Sequence, residues 1–112
     1  NNGTPIRNWL HAADTAEAVM TIIESGETNE IYNVAGGFEQ KNIDTVKKVI
    51  QQYNGNLKDW DRHVDLSFGR VGQDVRYALD DSKLRKLGWK PKKSFHKEIK
   101  EIVSWYKNNF IW

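Results

Sequence analysis

Apolar side chains recur along this chain in short bursts whose spacing shifts from two residues to nearly four and back. After the turn chemistry of Gly3-Thr4-Pro5, the stretch Ile6-Arg7-Asn8-Trp9-Leu10 alternates and predicts a short strand. Ala16, Val19, Met20, Ile22 and Ile23 then fall near helical spacing up to Gly26, with Asp14 expected as N-cap and Glu17 completing a capping box. Glu30-Ile31-Tyr32-Asn33-Val34-Ala35 has strand composition and ends at the Gly36-Gly37 corner. A second helix is expected from the cap Asn42 through Ile43, Val46, Val49, Ile50 and Tyr53, closed by Asn54-Gly55. Residues 56–63 show no period and read as loop, whereas Val64, Leu66 and Phe68 alternate as a third strand. Asp80-Asp81 caps a short helix through Leu84 and Leu87, stopped by Gly88. Trp89-Lys90-Pro91 is an extended connector, because the residue before proline avoids the helical region. Ser94 caps a last helix with Phe95, Ile99, Ile102, Val103 and Tyr106 on one face.

The order β α β α β α α is a mixed α/β chain with too few strands for a doubly wound sheet. Its paired glycines, Gly36-Gly37, lack the G-x-G-x-x-G spacing of a dinucleotide loop. At 112 residues the chain is read as one domain, 1–112, with room for a modest core. Its opening Asn1-Asn2-Gly3 lacks both Met and a signal pattern, so the chain is expected to be processed or part of something larger.

Composition narrows the possibilities by exclusion. With 38% apolar and 29% charged residues the sequence has a globular balance, and no apolar run is long enough for a membrane helix. Cysteine is absent, which removes disulfides, thiolate metal sites and cysteine catalysis together and fits a cytoplasmic location. Seventeen basic residues face fifteen acidic ones, a net +2 that falls short of a nucleic-acid binder's basic stripe. His11, His63 and His96 stand apart, without metal-ligand spacing or a neighbouring nucleophile, so neither a metal site nor a catalytic residue is assigned. Lys90, Lys92, Lys93, Lys97 and Lys100 read as a solvated face, and Trp60, Trp105 and Trp112 as packing residues rather than base platforms.

Two arginines stand out. Arg7 lies within an apolar strand segment, where a charge needs a partner. Arg70 sits in the corner Gly69-Arg70-Val71-Gly72, a setting suited to bidentate phosphate binding or to an ion pair with a carboxylate.

Read together, these segments resemble the nucleotide-sugar 4,6-dehydratases, extended short-chain dehydrogenase/reductase enzymes that act on dTDP- or UDP-glucose. Residues 7–14, Arg7-Asn8-Trp9-Leu10-His11-Ala12-Ala13-Asp14, resemble the family's RDWLYVED segment, and Ile31-Tyr32-Asn33-Val34-Ala35-Gly36-Gly37 is similar to its YNIGG corner. Gly69-Arg70-Val71-Gly72-Gln73-Asp74-Val75-Arg76-Tyr77 matches DRPGHDRRY at Arg70, Gly72, Asp74, Arg76 and Tyr77. Asp80 through Pro91 resembles DxxKLxxLGWKP, and Trp105-Tyr106-Lys107-Asn108-Asn109 the closing WYxxN. The family's Asp, Pro, His and first paired Arg are replaced here by Gly69, Val71, Gln73 and Val75, and its Tyr-Val-Glu by His11-Ala12-Ala13.

The resemblance covers only the C-terminal third of such an enzyme. It implies a small substrate-binding domain, with the NAD-binding Rossmann domain absent along with the Tyr-x-x-x-Lys pair and the dehydration acids. The parent enzyme would use NAD to oxidise the sugar at C4, eliminate water across C5–C6 and return hydride to C6. The chain alone would bind no NAD and be inactive, its partners being the nucleotide-diphosphate sugar and the NAD-binding domain of a homodimeric parent. Carried over position by position, Arg7 and Arg70 become diphosphate ligands, Asn33 a polar contact in the same cleft, and Gln73 and Asp74 part of the substrate-lining loop. Two alternatives stand beside this reading: an epimerase or decarboxylase of the same superfamily, and a non-enzymatic module binding nucleic acid or protein.

Overall fold

A computed structural model describes residues 1–110 of the chain. Two short strands, β1 (Ile6–Asn8) and β2 (Glu39–Lys41), alternate with helices α1 (Ala12–Ser25) and α2 (Asn42–Asn54). A single 3-10 turn (Trp60–His63), the five-residue α3 (Ser82–Lys86) and α4 (Phe95–Asn109) complete the order. The mixed α/β class expected from the sequence is therefore what forms, although two of its three expected strands do not.

Helix α1 begins two residues before its expected cap. His11 takes the N-cap position, and its Nδ1 accepts the Ala13 amide at 3.0 Å. Asp14 is consequently not a cap but an inward-facing carboxylate, 1% exposed, whose two oxygens accept the Lys92 and Lys93 amides at 2.9 Å each. Burying a carboxylate is tolerable only with such donors. Glu17 completes no capping box; it pairs instead with Lys92 Nζ at 2.8 Å. The buried face of α1 carries Asp14 and Ala18 with Ile22 alongside, an i, i+4, i+8 row. The expected apolar stripe lies largely outside it, with Val19, Met20 and Ile23 48%, 52% and 70% exposed.

The core is small. Ala18, Leu84 of α3 and Trp89 are buried together, ringed by Leu10, Ile22, Tyr32, Val34 and Leu87. Full burial of Leu84 or Trp89 is worth about 2–3 kcal/mol each. The Trp89 indole N–H is satisfied by the Asp14 carbonyl at 3.0 Å, so the ring is both packed and tethered. A second layer forms where α2 packs on α4 over the buried Ile99 and Val103. Phe95, at the start of α4, stacks on Phe38 (centroids 5.4 Å apart) and meets the edge of Trp9 at 6.0 Å. Trp60 packs under Lys47, as expected of a packing residue, whereas Trp105 is 58% exposed and Trp112 lies outside the described residues.

Residues 30–35 join no sheet. Side chains hold them instead: Tyr32 and Val34 pack on the core, the Tyr32 hydroxyl accepts the Glu27 amide at 2.9 Å, and Asn33 Nδ2 donates to the Asp80 carbonyl at 3.1 Å. The corner that follows needs glycine, because Gly36 has φ +79° and a Cβ there would meet Leu10 Cδ1 at 2.6 Å. Nor do residues 64–68 form a strand. Asp65 Oδ1 accepts both the Ser67 amide (2.9 Å) and hydroxyl (2.6 Å), and this local turn competes with a ladder.

Conversely, β2 arises from a polar triplet, Glu39-Gln40-Lys41, with no apolar alternation. It forms because β1 offers a partner in antiparallel register: Ile6 opposite Lys41, Arg7 opposite Gln40 and Asn8 opposite Glu39. The short and last helices appear where expected, with corrected capping. Asp80 Oδ1 caps α3 through the Ser82 amide at 2.8 Å, while the Asp81 carboxylate serves Gly36 and Arg85. Neither Ser94 nor Asn42 makes a capping hydrogen bond; Ser94 holds the N-cap position, and at α2 that position belongs to Lys41.

The chain leaves an unusual amount of itself in water. Its accessible surface is 8410 Å², against roughly 6,300 Å² for a compact monomer of this mass. The radius of gyration is 16.8 Å, where about 13 Å is usual for this length.

Candidate functional site

A strip of chain, residues 68–77, runs beside residues 1–8 in the same direction. The Asn1 nitrogen lies 2.5 Å from the Phe68 carbonyl, and the Arg70 amide donates to Asn1 Oδ1 at 2.9 Å. Further along, the Ile6 amide donates to the Val75 carbonyl (2.8 Å) and the Tyr77 amide to the Ile6 carbonyl (3.3 Å), a parallel bridge centred on Arg76. The strip continues to Asp80 and Asp81, which reach the Asn33–Gly36 corner through the Asp80 carbonyl and the Asp81 carboxylate. One segment thus supports all five residues singled out in the sequence.

Arg7 projects from β1 without any ion pair among the described residues. Nη1 donates to its neighbour's carbonyl at Ile6 (2.7 Å) and Nη2 to the Asp74 carbonyl (3.1 Å), while the guanidinium carbon lies 4.1 Å from the centre of the Tyr77 ring. These contacts orient the planar fork yet use only part of its five N–H donors. A half-buried guanidinium so held is a positioned cation. Among the described residues its partners are thus two carbonyls and an aromatic face rather than a carboxylate.

Arg70 is different. It opens a tight turn, closed by the Gln73 amide on the Arg70 carbonyl at 3.3 Å, whose third residue, Gly72, sits at φ +73° as such turns require. Its side chain is exposed and makes no hydrogen bond or ion pair among the described residues. Gln73 is half-buried in this turn and Asp74 exposed beyond it, contributing its carbonyl to Arg7. Asn33 has committed its Nδ2 to Asp80, which fixes the amide and leaves its Oδ1 facing elsewhere.

Three residues outside the singled-out set complete the arrangement: Tyr77 beneath Arg7, and the pair Arg76 and Glu39. Arg76 donates from Nε and Nη2 to Glu39 Oε1 and Oε2 at 2.8 and 2.6 Å, a bidentate pair joining the strip to β2. That hydrogen bonding holds the Glu39 carboxyl below its ordinary value and raises Arg76. Arg76 and Tyr77 are legible as matched positions of the nine-residue motif 69–77; Glu39, in a featureless polar triplet, gives no signal. The Asp81 carboxyl is likewise held low, chiefly by the Arg85 hydrogen bond and, against the cost of burial, by the Gly36 amide.

Two of the three histidines take structural places. His11 caps α1, and His96 sets its edge against Phe38 with Nδ1 3.4 Å from Lys48 Nζ. Among the described residues no group of three or more His, Cys, Asp or Glu could hold a metal ion, and no helix is long and apolar enough to cross a membrane. An apolar cavity of about 380 Å³ lies between Trp9, Phe38, Val49, Phe95, Ile99 and Ile102, and none of the five singled-out residues lines it. The sheet among the described residues is a two-stranded antiparallel ladder. It does not supply the parallel strand, glycine turn and helix that cradle a dinucleotide pyrophosphate, so the residues present do not fit NAD.

Comparison with known proteins places this geometry in context. The family described as GDP-mannose 4,6 dehydratase matches residues 1–102. The dTDP-D-glucose 4,6-dehydratase of Mus musculus is 37% identical over 111 residues, covering 97% of this chain and 31% of that protein. The dTDP-glucose 4,6-dehydratase 1 of Escherichia coli K12 is 37% identical over 114 residues, covering 98% and 32% respectively. Among solved structures, the dTDP-glucose 4,6-dehydratase of Bacillus anthracis in complex with NAD superposes with a TM-score of 0.84 at 30% identity, over 100% of this chain and 34% of that one. DesIV of Streptomyces venezuelae, a dTDP-glucose 4,6-dehydratase with NAD and TYD bound, gives 0.78 at 29% identity, over 97% and 33%. The chain spans about a third of the length of the relatives it matches.

Proposed function

The chain belongs to the GDP-mannose 4,6 dehydratase family, and from that premise we propose that it is the nucleotide-diphosphate-sugar-binding part of an NAD-dependent 4,6-dehydratase of the dTDP-glucose kind. The domain is the whole of 1–112, and its work is to hold the diphosphate of the substrate, remote from the reacting carbons. Arg70 supplies an uncommitted guanidinium on an exposed turn, and Arg7 a second one already oriented by two carbonyls and Tyr77. Asn33 lines the same cleft with its fixed amide, and Gln73 and Asp74 form the edge of the loop that faces substrate.

The observation that carries this reading is that the 68–77 strip both bears Arg70, whose side chain has no hydrogen bond or ion pair among the described residues, and orients Arg7 of β1 through the Asp74 carbonyl. Orienting a cation before the anion arrives removes part of the ordering cost of binding. The curated relatives named above are dTDP-glucose 4,6-dehydratases, which favours this chemistry over epimerisation, decarboxylation or a nucleic-acid role. NAD belongs to a dinucleotide-binding portion that this chain does not contain, and the excess exposed surface is what such a portion would cover. The parent enzyme is a cytoplasmic homodimer in this reading, and the isolated chain neither binds NAD nor turns over dTDP-glucose.

Calorimetric titration of the chain with dTDP and with UDP tests the proposal. Binding that weakens at least about tenfold in Arg70→Ala, the loss expected for one charge-assisted bidentate contact, is the expected result. Unchanged affinity in that variant, or turnover by the purified chain, overturns it.

A further inference from the structure

We infer that the Glu39–Arg76 pair is a positioning latch that sets the height of the diphosphate-binding loop against the β1–β2 hairpin; this rests on the reading just given. The backbone of residues 75–77 is tied to β1 by only two amide hydrogen bonds, from Ile6 and from Tyr77. Side chains add further ties along 74–77: Arg7 to the Asp74 carbonyl and the Tyr77 ring, Asn8 Nδ2 to the Tyr77 carbonyl at 3.5 Å, and Arg76 to Glu39. The last reaches furthest, because Glu39 belongs to β2, opposite Asn8, and so spans the width of the hairpin.

The chemistry suits positioning. A guanidinium bound through two parallel N–H···O contacts has one orientation, whereas a lysine ammonium would have many. Arg76 lies two residues beyond Asp74, whose carbonyl orients Arg7, and six beyond Arg70. Displacing Arg76 therefore shifts the carbonyl that aims one proposed diphosphate ligand and the turn that bears the other. Around the carboxylate, the Lys48, Asp44 and His96 side chains border the same shallow hollow as Glu39, and Lys41 follows two residues on. Arg76 is the cation that the carboxylate contacts directly.

The test compares Glu39→Gln, Arg76→Lys and the charge-swapped Glu39→Arg/Arg76→Glu double variant with the unaltered chain. Amide hydrogen exchange is read at Ile6 and Tyr77, and dTDP affinity by calorimetry. Expected in both single variants is exchange about fivefold faster at Ile6 and Tyr77, an exposed bidentate pair's usual reach. The α1 and α2 amides should stay unchanged, the dTDP affinity should drop by a similar factor, and the swap should recover both. Unchanged exchange in Glu39→Gln overturns the latch. So does faster exchange with full affinity, since the pair would then brace the fold without aiming the ligands, while diphosphate binding by the unaltered chain would leave the broader reading standing. Failure of the unaltered chain to bind dTDP or UDP overturns both, and is told apart by that very absence.

Discussion

Two sides of this molecule are held by opposite means. On one side α1, α3 and the 89–93 connector close around Ala18, Leu84 and Trp89, with Asp14 buried at the join and both its oxygens occupied by backbone amides. On the other, the 68–77 strip leans on β1 and β2 through the half-buried Arg7 and the exposed Arg76, with Phe68, Val71 and Val75 76%, 102% and 75% exposed. The first side loses free energy whenever any one group is removed, because the groups are desolvated and interdependent. The second has little desolvation to lose, and its charged donors remain available to an incoming anion. A binding surface that must exchange internal partners for a ligand is better placed on the loosely held side.

The contrast can be broken most directly at Asp14. Asp14→Ala removes a buried carboxylate and leaves the part-buried Lys92 and Lys93 amides without their acceptor, and should cost about 2 kcal/mol in urea unfolding; a loss no greater than a surface substitution's would refute the buried-join account. Next comes Gly36→Ala, which sets a Cβ into Leu10 at a positive φ and should cost about 2 kcal/mol. A wild-type unfolding midpoint in that variant would show the corner to be pliable. On the exposed side, Arg70→Ala should leave the unfolding midpoint within about 0.5 kcal/mol of the unaltered chain while weakening dTDP binding. A variant that lost stability instead would make Arg70 a structural residue.

The smallest effect sharpens the same comparison through pH. The Glu39 carboxyl is held below its ordinary value by Arg76, so the pair's contribution is present above the ordinary glutamate range and is lost as pH falls through the lowered value. Protection of the Ile6 and Tyr77 amides should therefore fade in acid before that of α1. Simultaneous loss across both regions would mean the two sides unfold as one.

Much of this was legible residue by residue, and the misses share a cause. The helix α2 was read with its stop at Gly55, which indeed closes it at φ +78°, because local spacing and a left-handed cap act within a few residues. Motif order singles out Arg7, Asn33, Arg70, Gln73 and Asp74 as candidates; the last three lie on the 68–77 strip, and Arg7 and Asn33 donate to the Asp74 and Asp80 carbonyls. Their true neighbours were not foreseeable: Tyr77 beneath Arg7 and Glu39 against Arg76 are contacts between residues 70 and 37 positions apart.

What the one-dimensional pattern determined was the helices, the glycine corners and a mixed α/β chain without thiol chemistry. These depend on spacing, side-chain type and local hydrogen bonds, all of which act over a turn or two. What only the tertiary structure decided was which polar groups go inside. Asp14 reads as a cap until the 92–93 amides arrive to receive it, and Glu39-Gln40-Lys41 reads as loop until β1 lies alongside. The reason is that burial of a charge or pairing of a polar strand is decided by donors and acceptors brought from far along the chain, and no local period records where they will come from.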